Sequence, residues 1–291
     1  MNATVLARPS AIDGPEALAS DGSSVVFTGS AFVVRFDRYL DPRSAIRQAY
    51  CLQSDAAVVE GFEDCTAAIS TSPIYDPVTR ALTIYLDAPL TPEKVHTFTI
   101  LSPRDGTDVG FRAMDGAFLD VTQSFSFTTG PDTDPPLGVE EPPAPPACEE
   151  IVAMLGSCAT CHVVTSQTSP PEGFTVDRAG LLASIGRTAH ETSVGGDADE
   201  SQERPGRFGA AMPLIDDKRS AGNSYLLYKL LAYGQADDEL APGETERLRS
   251  MLVVGLPMPP PSEDPDAPRG PFTIDELTVL SRWISGGAPC N

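Results

Sequence analysis

A proline-rich, acidic stretch near the middle of the chain limits how the whole sequence can fold. Residues 131–147 read PDTDPPLGVEEPPAPPA, with seven prolines, four acidic residues and no Lys or Arg. Proline fixes φ and removes a backbone N–H donor, so this stretch can neither continue a helix nor form a central strand. Stretches of this composition are typical of semi-rigid, extended spacers. We therefore predict two domains, at residues 1–130 and 148–291, that are joined by a Pro-rich acidic linker at 131–147.

The charge of the chain excludes two classes of partner. The 291 residues include 20 Lys and Arg against 41 Asp and Glu, which gives a formal net charge of −21. Nucleic acids and anionic membrane surfaces attract clustered Lys and Arg, so neither is expected to bind this chain. No run of about 18 apolar residues occurs, so the sequence also predicts no transmembrane segment. With 41% hydrophobic residues, the chain has enough apolar material for packed cores.

The N-terminal domain is predicted to be all-β. Its apolar runs are short and rich in β-branched and aromatic residues, and apolar and polar side chains alternate in SFSFTT. This alternation is typical of half-buried strands. Turn dipeptides such as Asp76-Pro77 and Asp105-Gly106 separate the runs. The predicted strands include Ser24–Phe27, Phe32–Phe36, Leu82–Leu86, Thr97–Leu101 and Ser124–Thr128.

From about Ser24 to Gly130 the sequence resembles a bacterial Ig-like domain. The resemblance rests on Phe36-Asp37, on Leu40-Asp41-Pro42, on Pro89-Leu90-Thr91-Pro92 before HTFTI, and on the closing FSFTTG. It implies an Ig-like β-sandwich. None of these motifs carries chemistry, so no catalytic residue is expected in this half of the chain.

The C-terminal domain is predicted to be all-α. Thr273 and Glu276 form a capping-box pattern, and Gly286-Gly287 marks the end of the helix that follows. Between them, apolar residues recur at helical spacing, at Leu277, Leu280, Trp283 and Ile284. Further helices are predicted from near Cys148 and over Arg178–Ala189, Asn223–Tyr233 and Pro242–Val253.

The first predicted helix of this domain leads into the motif C-x-x-C-H, at Cys158, Cys161 and His162. This motif is the attachment site of c-type haem. Two thiols at this spacing can reach the two vinyl groups of one porphyrin, and the next residue places an imidazole beside the iron. We therefore predict one covalently bound haem c, with His162 as an axial iron ligand.

A redox-active thiol pair and half of a zinc site are the alternative interpretations of the motif. A thioredoxin-like motif is expected within a βαβ pattern, which the sequence does not contain. Zinc would require a second pair of ligands at suitable spacing, which is also missing. Both alternatives are therefore less consistent with the sequence than haem c.

With this motif, residues 148–291 resemble the single-haem cytochrome c domains of large secreted proteins in planctomycetes and myxobacteria. The resemblance rests on four stretches: Leu155-Gly156-Ser157 before CATCH, Gly222–Leu230, Leu256–Pro259 and FTIDELTVLSRWISGGAP. In such domains the first and last helices cross beside the haem, and here these would be Glu149–Ser157 and Ile274–Ser285. A long polar insertion between His162 and Ala221 departs from short cytochromes c.

The second axial ligand is predicted to be Met258. This residue lies in the segment GLPMPPPSEDP, before the last predicted helix, where the family places its axial methionine. The flanking prolines restrict the backbone, which lowers the entropy lost when the thioether is held at the iron. Met212 is the alternative methionine, followed by His190 and by a sixth position that is open or filled by water.

The four remaining cysteines are predicted to form two disulfides. Haem c is attached outside the cytoplasm in bacteria, in an oxidising space where such thiols pair. Cys51 and Cys65 enclose 13 residues, a loop short enough for a local disulfide. The crossing helices that the cytochrome resemblance implies would bring Cys148 and Cys290 together. Disulfides between the two halves are the alternative, and they would require the linker to fold back.

The attachment of haem c also predicts a periplasmic, cell-surface or extracellular protein. The N-terminal residues MNATVLARPSAIDGPEALAS contain no apolar signal-peptide core. We therefore expect the export signal, and any lipid anchor, to lie upstream of Met1.

Three functions are compatible with these features. The first is a c-type cytochrome that transfers single electrons through one His/Met-ligated haem, with an acidic surface that docks on a basic face of a redox partner. The second is a haem enzyme, peroxidase-like or gas-reacting, with an open sixth position. The third is a surface scaffold in which the Ig-like half is the functional part. Because no catalytic acid–base pair is recognisable, we expect an electron carrier rather than an enzyme.

Overall fold

The computed structural model divides the chain into two compact units, Met1–Pro143 and Ala144–Asn291. Most of the predicted linker, residues 132–143, lies outside the described residues. The structure describes residues 1–10, 12–54, 59–103, 109–131, 144–164, 173–189, 211–233, 240–253, 258 and 271–290.

The N-terminal unit is a β-domain with two sheets, in agreement with the predicted strands. One sheet has the strand order β2-β1-β4-β7-β6 and is antiparallel. The other has the order β3-β9-β8-β5, in which β3 and β9 are parallel and the other neighbours antiparallel. The strands are β1 (Ala3–Ala7), β2 (Glu16–Ala17), β3 (Val25–Val26), β4 (Phe32–Phe36), β5 (Tyr50–Ser54), β6 (Thr71–Asp76), β7 (Ala81–Leu86), β8 (Val95–Ile100) and β9 (Gln123–Thr129).

Aromatic side chains from both sheets form the core between them. Phe32 of β4 stacks on Phe98 of β8, with ring centroids 5.2 Å apart, and its ring also contacts Phe127 of β9 at 5.4 Å. Phe98 in turn stacks on Tyr50 of β5 at 5.8 Å. All four side chains are buried, and aromatic pairs at these distances stabilise a core beyond their area burial. The two sheets therefore face each other across one core.

Sequence periodicity predicted β4 with its observed bounds but did not find β5 or β6. The first four residues of β5 are all buried, so the strand has no exposed face and no alternation that could reveal it. β6 contains Pro73, which argues against a central strand. In the structure β6 is the edge strand beside β7, where a proline is tolerated.

The predicted disulfide between Cys51 and Cys65 is present. Cys51 lies in β5, and Cys65 follows a 3₁₀-helix at Phe62–Asp64. Cys51 is buried in a small cluster with Val59 and Leu101. The disulfide therefore fixes this loop to the sheet locally, within one unit.

The C-terminal unit contains five α-helices among its described residues. None of the described helices is long and apolar enough to cross a membrane. Two 3₁₀-helices, at Gly156–Thr160 and Ala221–Asn223, follow α1 and precede α3. The α-helices are α1 (Cys148–Met154), α2 (Arg178–Ser184), α3 (Tyr225–Leu231), α4 (Glu244–Met251) and α5 (Ile274–Ser285).

The prediction of an all-α C-terminal domain is wrong. The chain as a whole is mixed α/β, and its C-terminal unit also contains paired extended segments. Ile185 pairs in parallel with Ile215, and Thr188 pairs antiparallel with Pro213. These pairings connect residues after α2 with residues before α3.

The physical reason lies in the backbone that follows α2. The helix predicted over Arg178–Ala189 ends at Ser184, and Gly186 adopts φ +74°, which a right-handed helix does not allow. The backbone N–H groups of Gly186 and Ala189 donate to the carbonyl oxygens of Ile215 and Met212, at 2.8 Å each. Hydrogen bonds between distant segments thus replace those that the helix would have formed.

The last helix, α5, begins and ends as predicted. The hydroxyl of Thr273 accepts a hydrogen bond from the N–H of Glu276 at 3.2 Å, and the Glu276 carboxylate accepts one from the N–H of Thr273 at 2.8 Å. Gly287, with φ +94°, follows the C-terminal end. The apolar stripe is completely buried, and α5 packs against α1 and α3.

The second predicted disulfide joins Cys148, the first residue of α1, to Cys290 beyond α5. Two contacts of Arg178 reinforce this end of the unit. The guanidinium of Arg178, at the start of α2, donates to the carbonyl oxygen of Cys290 at 2.9 Å and lies 3.5 Å from the carboxylate of Glu149. Two disulfides in one chain indicate an extracytoplasmic protein.

Candidate haem-attachment site

The two thiols of the C-x-x-C-H motif lie on one helical turn. Cys158 belongs to the 3₁₀-helix at Gly156–Thr160, and Cys161 is its C-terminal cap. The N–H groups of Cys161 and His162 both donate to the carbonyl oxygen of Cys158, at 3.1 Å and 2.9 Å. Residues three apart in a 3₁₀-helix are eclipsed, which favours two thiols on the same side of this turn. Cys158 is half-buried and Cys161 is exposed, and neither belongs to a disulfide.

The imidazole of His162 is oriented by a backbone carbonyl. Its Nδ1 lies 3.0 Å from the carbonyl oxygen of Phe174. A carbonyl oxygen can only accept, so Nδ1 is the donor and carries the proton. In the neutral ring, Nε2 then keeps its lone pair and is available as a metal ligand.

A second hydrogen bond fixes the backbone on both sides of this contact. The N–H of Val176 donates to the carbonyl oxygen of His162 at 3.0 Å. The ring of Phe174 contacts the imidazole edge-on, with centroids 5.2 Å apart. The segment 174–176 therefore holds both the main chain and the ring of His162.

The way in which α2 begins explains why residues 174–176 lie next to His162. The Asp177 carboxylate caps α2 by accepting from the N–H of Gly180 at 2.7 Å. A side chain at position 180 would clash with the hydroxyl and the backbone of Thr175. Because Gly180 has no Cβ, the chain can turn tightly from Phe174 into α2, which keeps the Phe174 carbonyl next to His162.

Exposed apolar side chains follow the motif directly. Val163 is 42% exposed and Val164 is 69% exposed. Together with the exposed Cys161, they form a partly apolar surface beside the two thiols. A porphyrin ring is apolar and would cover such a surface.

The contacts recorded for the two candidate methionines are main-chain hydrogen bonds, which do not test the predicted second axial ligand. Met258 is half-buried, and its N–H donates to the carbonyl oxygen of Lys229 in α3 at 3.2 Å. Met212 is buried and pairs with Ala189 through its carbonyl oxygen. The prolines that flank Met258 and the third candidate, His190, lie outside the described residues. Met258 therefore stays a prediction, with Met212 as its alternative.

Covalent attachment of haem c and binding of a zinc ion require different groups from the protein. Among the described residues, no group of three or more His, Cys, Asp and Glu is placed to hold a metal. Haem c requires fewer protein ligands, because the porphyrin supplies four nitrogen atoms. Two thiols on one turn and an imidazole with an available Nε2 are the groups that its attachment requires.

Sequence reasoning found the three motif residues but missed the group that orients one of them. The acceptor for His162 is a main-chain carbonyl 12 residues away, and every residue has such a carbonyl. Gly180 gave a weak indication of this arrangement, because a glycine inside a predicted helix often marks a place where another part of the backbone approaches closely.

Comparisons with known proteins do not identify the chain. No protein-family model and no curated protein matches it. Among solved structures, it is similar to domains 1–6 of the surface layer protein SbsC, at 16% identity and a TM-score of 0.26. That match covers 36% of this chain and 13% of the other. A similarity this low supports no functional argument, so function has to be inferred from the site.

Proposed function

We propose that this protein is a c-type cytochrome whose C-terminal unit binds one haem covalently and transfers single electrons outside the cytoplasm. The observation that carries the proposal is the hydrogen bond between His162 Nδ1 and the Phe174 carbonyl oxygen. It fixes the tautomer in which Nε2 is available, directly after two thiols on one turn. A haem-linked histidine needs this arrangement, whereas a thiol redox pair has no use for it.

Each residue of the motif has a separate task in this proposal. Cys158 and Cys161 would hold the haem through thioether bonds, formed when their S–H groups add across its two vinyl double bonds, and His162 would hold the iron through Nε2. When bound, haem c contributes one-electron oxidation and reduction at its iron. The protein holds the imidazole at a fixed angle through Phe174 and Val176, which limits reorganisation when the charge of the site changes.

Met258 is proposed as the second axial ligand, because a methionine thioether raises the reduction potential. The backbone N–H of Met258 donates a hydrogen bond to the carbonyl oxygen of Lys229 in α3. Helix α3 in turn packs against α5. The ligand would thus be attached to the helical core. Met212 is the alternative.

The charge of the protein supports a particular kind of partner. With a net charge of −21, its surface attracts a redox protein that presents a basic docking face. The two disulfides favour the periplasm or the cell surface as the compartment. We assign no catalytic residues to the chain.

Covalent attachment is tested by producing the full chain in the periplasm of a host that attaches haem c. The expected product is red, keeps its haem after denaturation and acid–acetone extraction, and has the mass of one chain plus one haem. The double variant Cys158→Ala/Cys161→Ala should lose the haem. The matched control, Cys51→Ala/Cys65→Ala, also removes two cysteines and should keep it. A colourless parent protein would contradict the proposal.

A further inference from the structure

A buried guanidinium nitrogen lies close to the candidate site. Within the described part of the chain, Nη2 of Arg187 is buried and has no hydrogen-bond partner. An unpaired buried donor destabilises a protein, and it does so more strongly when the group is charged. A buried donor without a partner needs an explanation in a native fold. One explanation is that a bound ligand supplies the acceptor.

Backbone hydrogen bonds fix the main chain at Arg187 and at its neighbour Gly186. The carbonyl oxygen of Arg187 accepts from the N–H of Leu214 at 2.7 Å, and the neighbouring Gly186 donates to Ile215 at 2.8 Å. Gly186 turns the chain with φ +74°. The position of the Arg187 main chain is therefore set by the paired extended segments that the sequence did not predict.

The guanidinium lies beside the segment that orients His162. Nη1 of Arg187 is 3.8 Å from the position that a Cβ on Gly173 would occupy. Gly173 adopts φ +65° and precedes Phe174, whose carbonyl accepts from His162. The imidazole thus contacts Phe174, and the guanidinium lies close to the adjacent Gly173.

We propose that Arg187 binds a propionate carboxylate of the haem that is held by Cys158, Cys161 and His162. This inference rests on the proposed function. A guanidinium presents several N–H donors in a rigid fork that matches the two oxygens of a carboxylate. The haem proposed for this site carries propionate carboxylates. One of them would accept a hydrogen bond from the buried Nη2.

Two consequences follow from a cation at this position. Arg187 stabilises the reduced iron relative to the oxidised iron, because the oxidised iron carries one more positive charge. The arginine also stabilises the haem-loaded fold, since its buried Nη2 finds an acceptor when the carboxylate is present. Arg187 is a binding and potential-setting residue, and it takes no part in electron transfer itself.

The first measurement is the reduction potential of the haem-loaded full chain. Arg187→Gln should lower the potential, whereas Arg187→Lys keeps the charge and should lower it less. Lys218→Gln, the matched control, removes one positive charge from an exposed side chain of the same unit and should cause a smaller shift, because solvent and salt screen it. Equal shifts in Arg187→Gln and Lys218→Gln would overturn the proposal.

The second measurement compares unfolding with and without haem. In the haem-loaded chain, Arg187→Gln should lower the denaturant midpoint. In the haem-free Cys158→Ala/Cys161→Ala background, the same substitution should leave the midpoint unchanged or raise it, because it removes an unpaired buried group. An equal decrease in both backgrounds would mean that Arg187 has only a structural role, and it would overturn the proposal.

The two proposals fail in different ways. If the parent chain attaches no haem, the proposed function is wrong, and the inference on Arg187 is wrong with it. If haem is attached but the Arg187 variants retain the parent potential and midpoint, only the inference on Arg187 is wrong.

Discussion

Cys148, the first residue of α1, is covalently bonded to Cys290, which follows α5. The bond encloses almost the whole C-terminal unit, with a sequence separation of 142 residues. Closing a long loop restricts the unfolded chain more than closing a short one. The position of this disulfide therefore has a direct consequence for stability.

We predict that Cys148→Ala/Cys290→Ala lowers the free energy of unfolding of the C-terminal unit by about 5 kcal/mol, on the chain-entropy model. The Cys51–Cys65 disulfide, with a separation of 14 residues, should contribute about 3 kcal/mol to the N-terminal unit. Denaturant unfolding with one reporter in each unit measures both. An unchanged C-terminal transition in the first variant would contradict the prediction.

The choice of axial methionine can be tested with substitutions that conserve volume. Met258→Leu should keep the haem, abolish the weak red-edge charge-transfer band of the oxidised protein, lower the potential and allow cyanide to bind. Met212→Leu should change none of these, because Leu fills a buried Met site at a cost below about 1.5 kcal/mol. The reverse result would assign the ligand to Met212. If neither variant alters the spectrum, the site is not His/Met, and a haem enzyme becomes the better hypothesis.

Gly180→Ala is predicted to destabilise the protein, although alanine is the better helix former by about 1 kcal/mol. The new Cβ would clash with Thr175, which would move the segment that bears the Phe174 carbonyl. We expect a lower unfolding midpoint and faster exchange of the His162 Nδ1 proton in NMR spectra. Gly156→Ala is the control, since nothing lies within 4 Å of its Cβ position. Equal effects at both glycines would argue against the clash.

Tyr75 should make the N-terminal unit sensitive to alkaline pH. Burial raises the pKa of Tyr75, whose hydroxyl accepts from the N–H of Leu40 at 3.0 Å. Above the unfolded-state pKa of about 10, the unfolded chain loses this proton while the folded chain keeps it. Stability therefore falls as the pH rises beyond that value.

Tyr75→Phe tests this pH dependence. The variant should lose about 1–3 kcal/mol at neutral pH, because the Leu40 donor is left unpaired. Between neutral pH and about pH 10.5, the free energy of unfolding should also fall by a smaller amount in the variant than in the parent protein. Urea unfolding across this range measures both effects. Parallel curves for the two proteins would show that Tyr75 does not titrate on unfolding.

The capping box of α5 is predicted to contribute measurably to the stability of the C-terminal unit. Thr273→Ala removes the acceptor for the N–H of Glu276 and should lower the free energy of unfolding by about 1 kcal/mol. Thr273→Ser keeps the hydroxyl and should retain most of that stability. Thermal or urea unfolding distinguishes the two variants, and similar losses in both would mean that the hydroxyl does not act as a cap.

Local chemistry determined several features of this protein directly. The cap and the apolar stripe of α5 involve residues within one or two turns, so the printed sequence contains the whole signal. The alternation in β9 depends only on neighbours in the strand. The motif at Cys158, Cys161 and His162 is equally local, and the even number of remaining cysteines favoured two disulfides.

Tertiary structure decided the features that depend on distant residues. The backbone after α2 pairs with residues 212–215 and does not continue the helix. These distant segments supply the partners that its N–H and C=O groups require. The orientation of the His162 ring depends on one main-chain carbonyl 12 residues away. The burial of Arg187 Nη2 depends on the same folded segments. A sequence specifies which groups can donate and accept, but only the folded chain determines which of them meet.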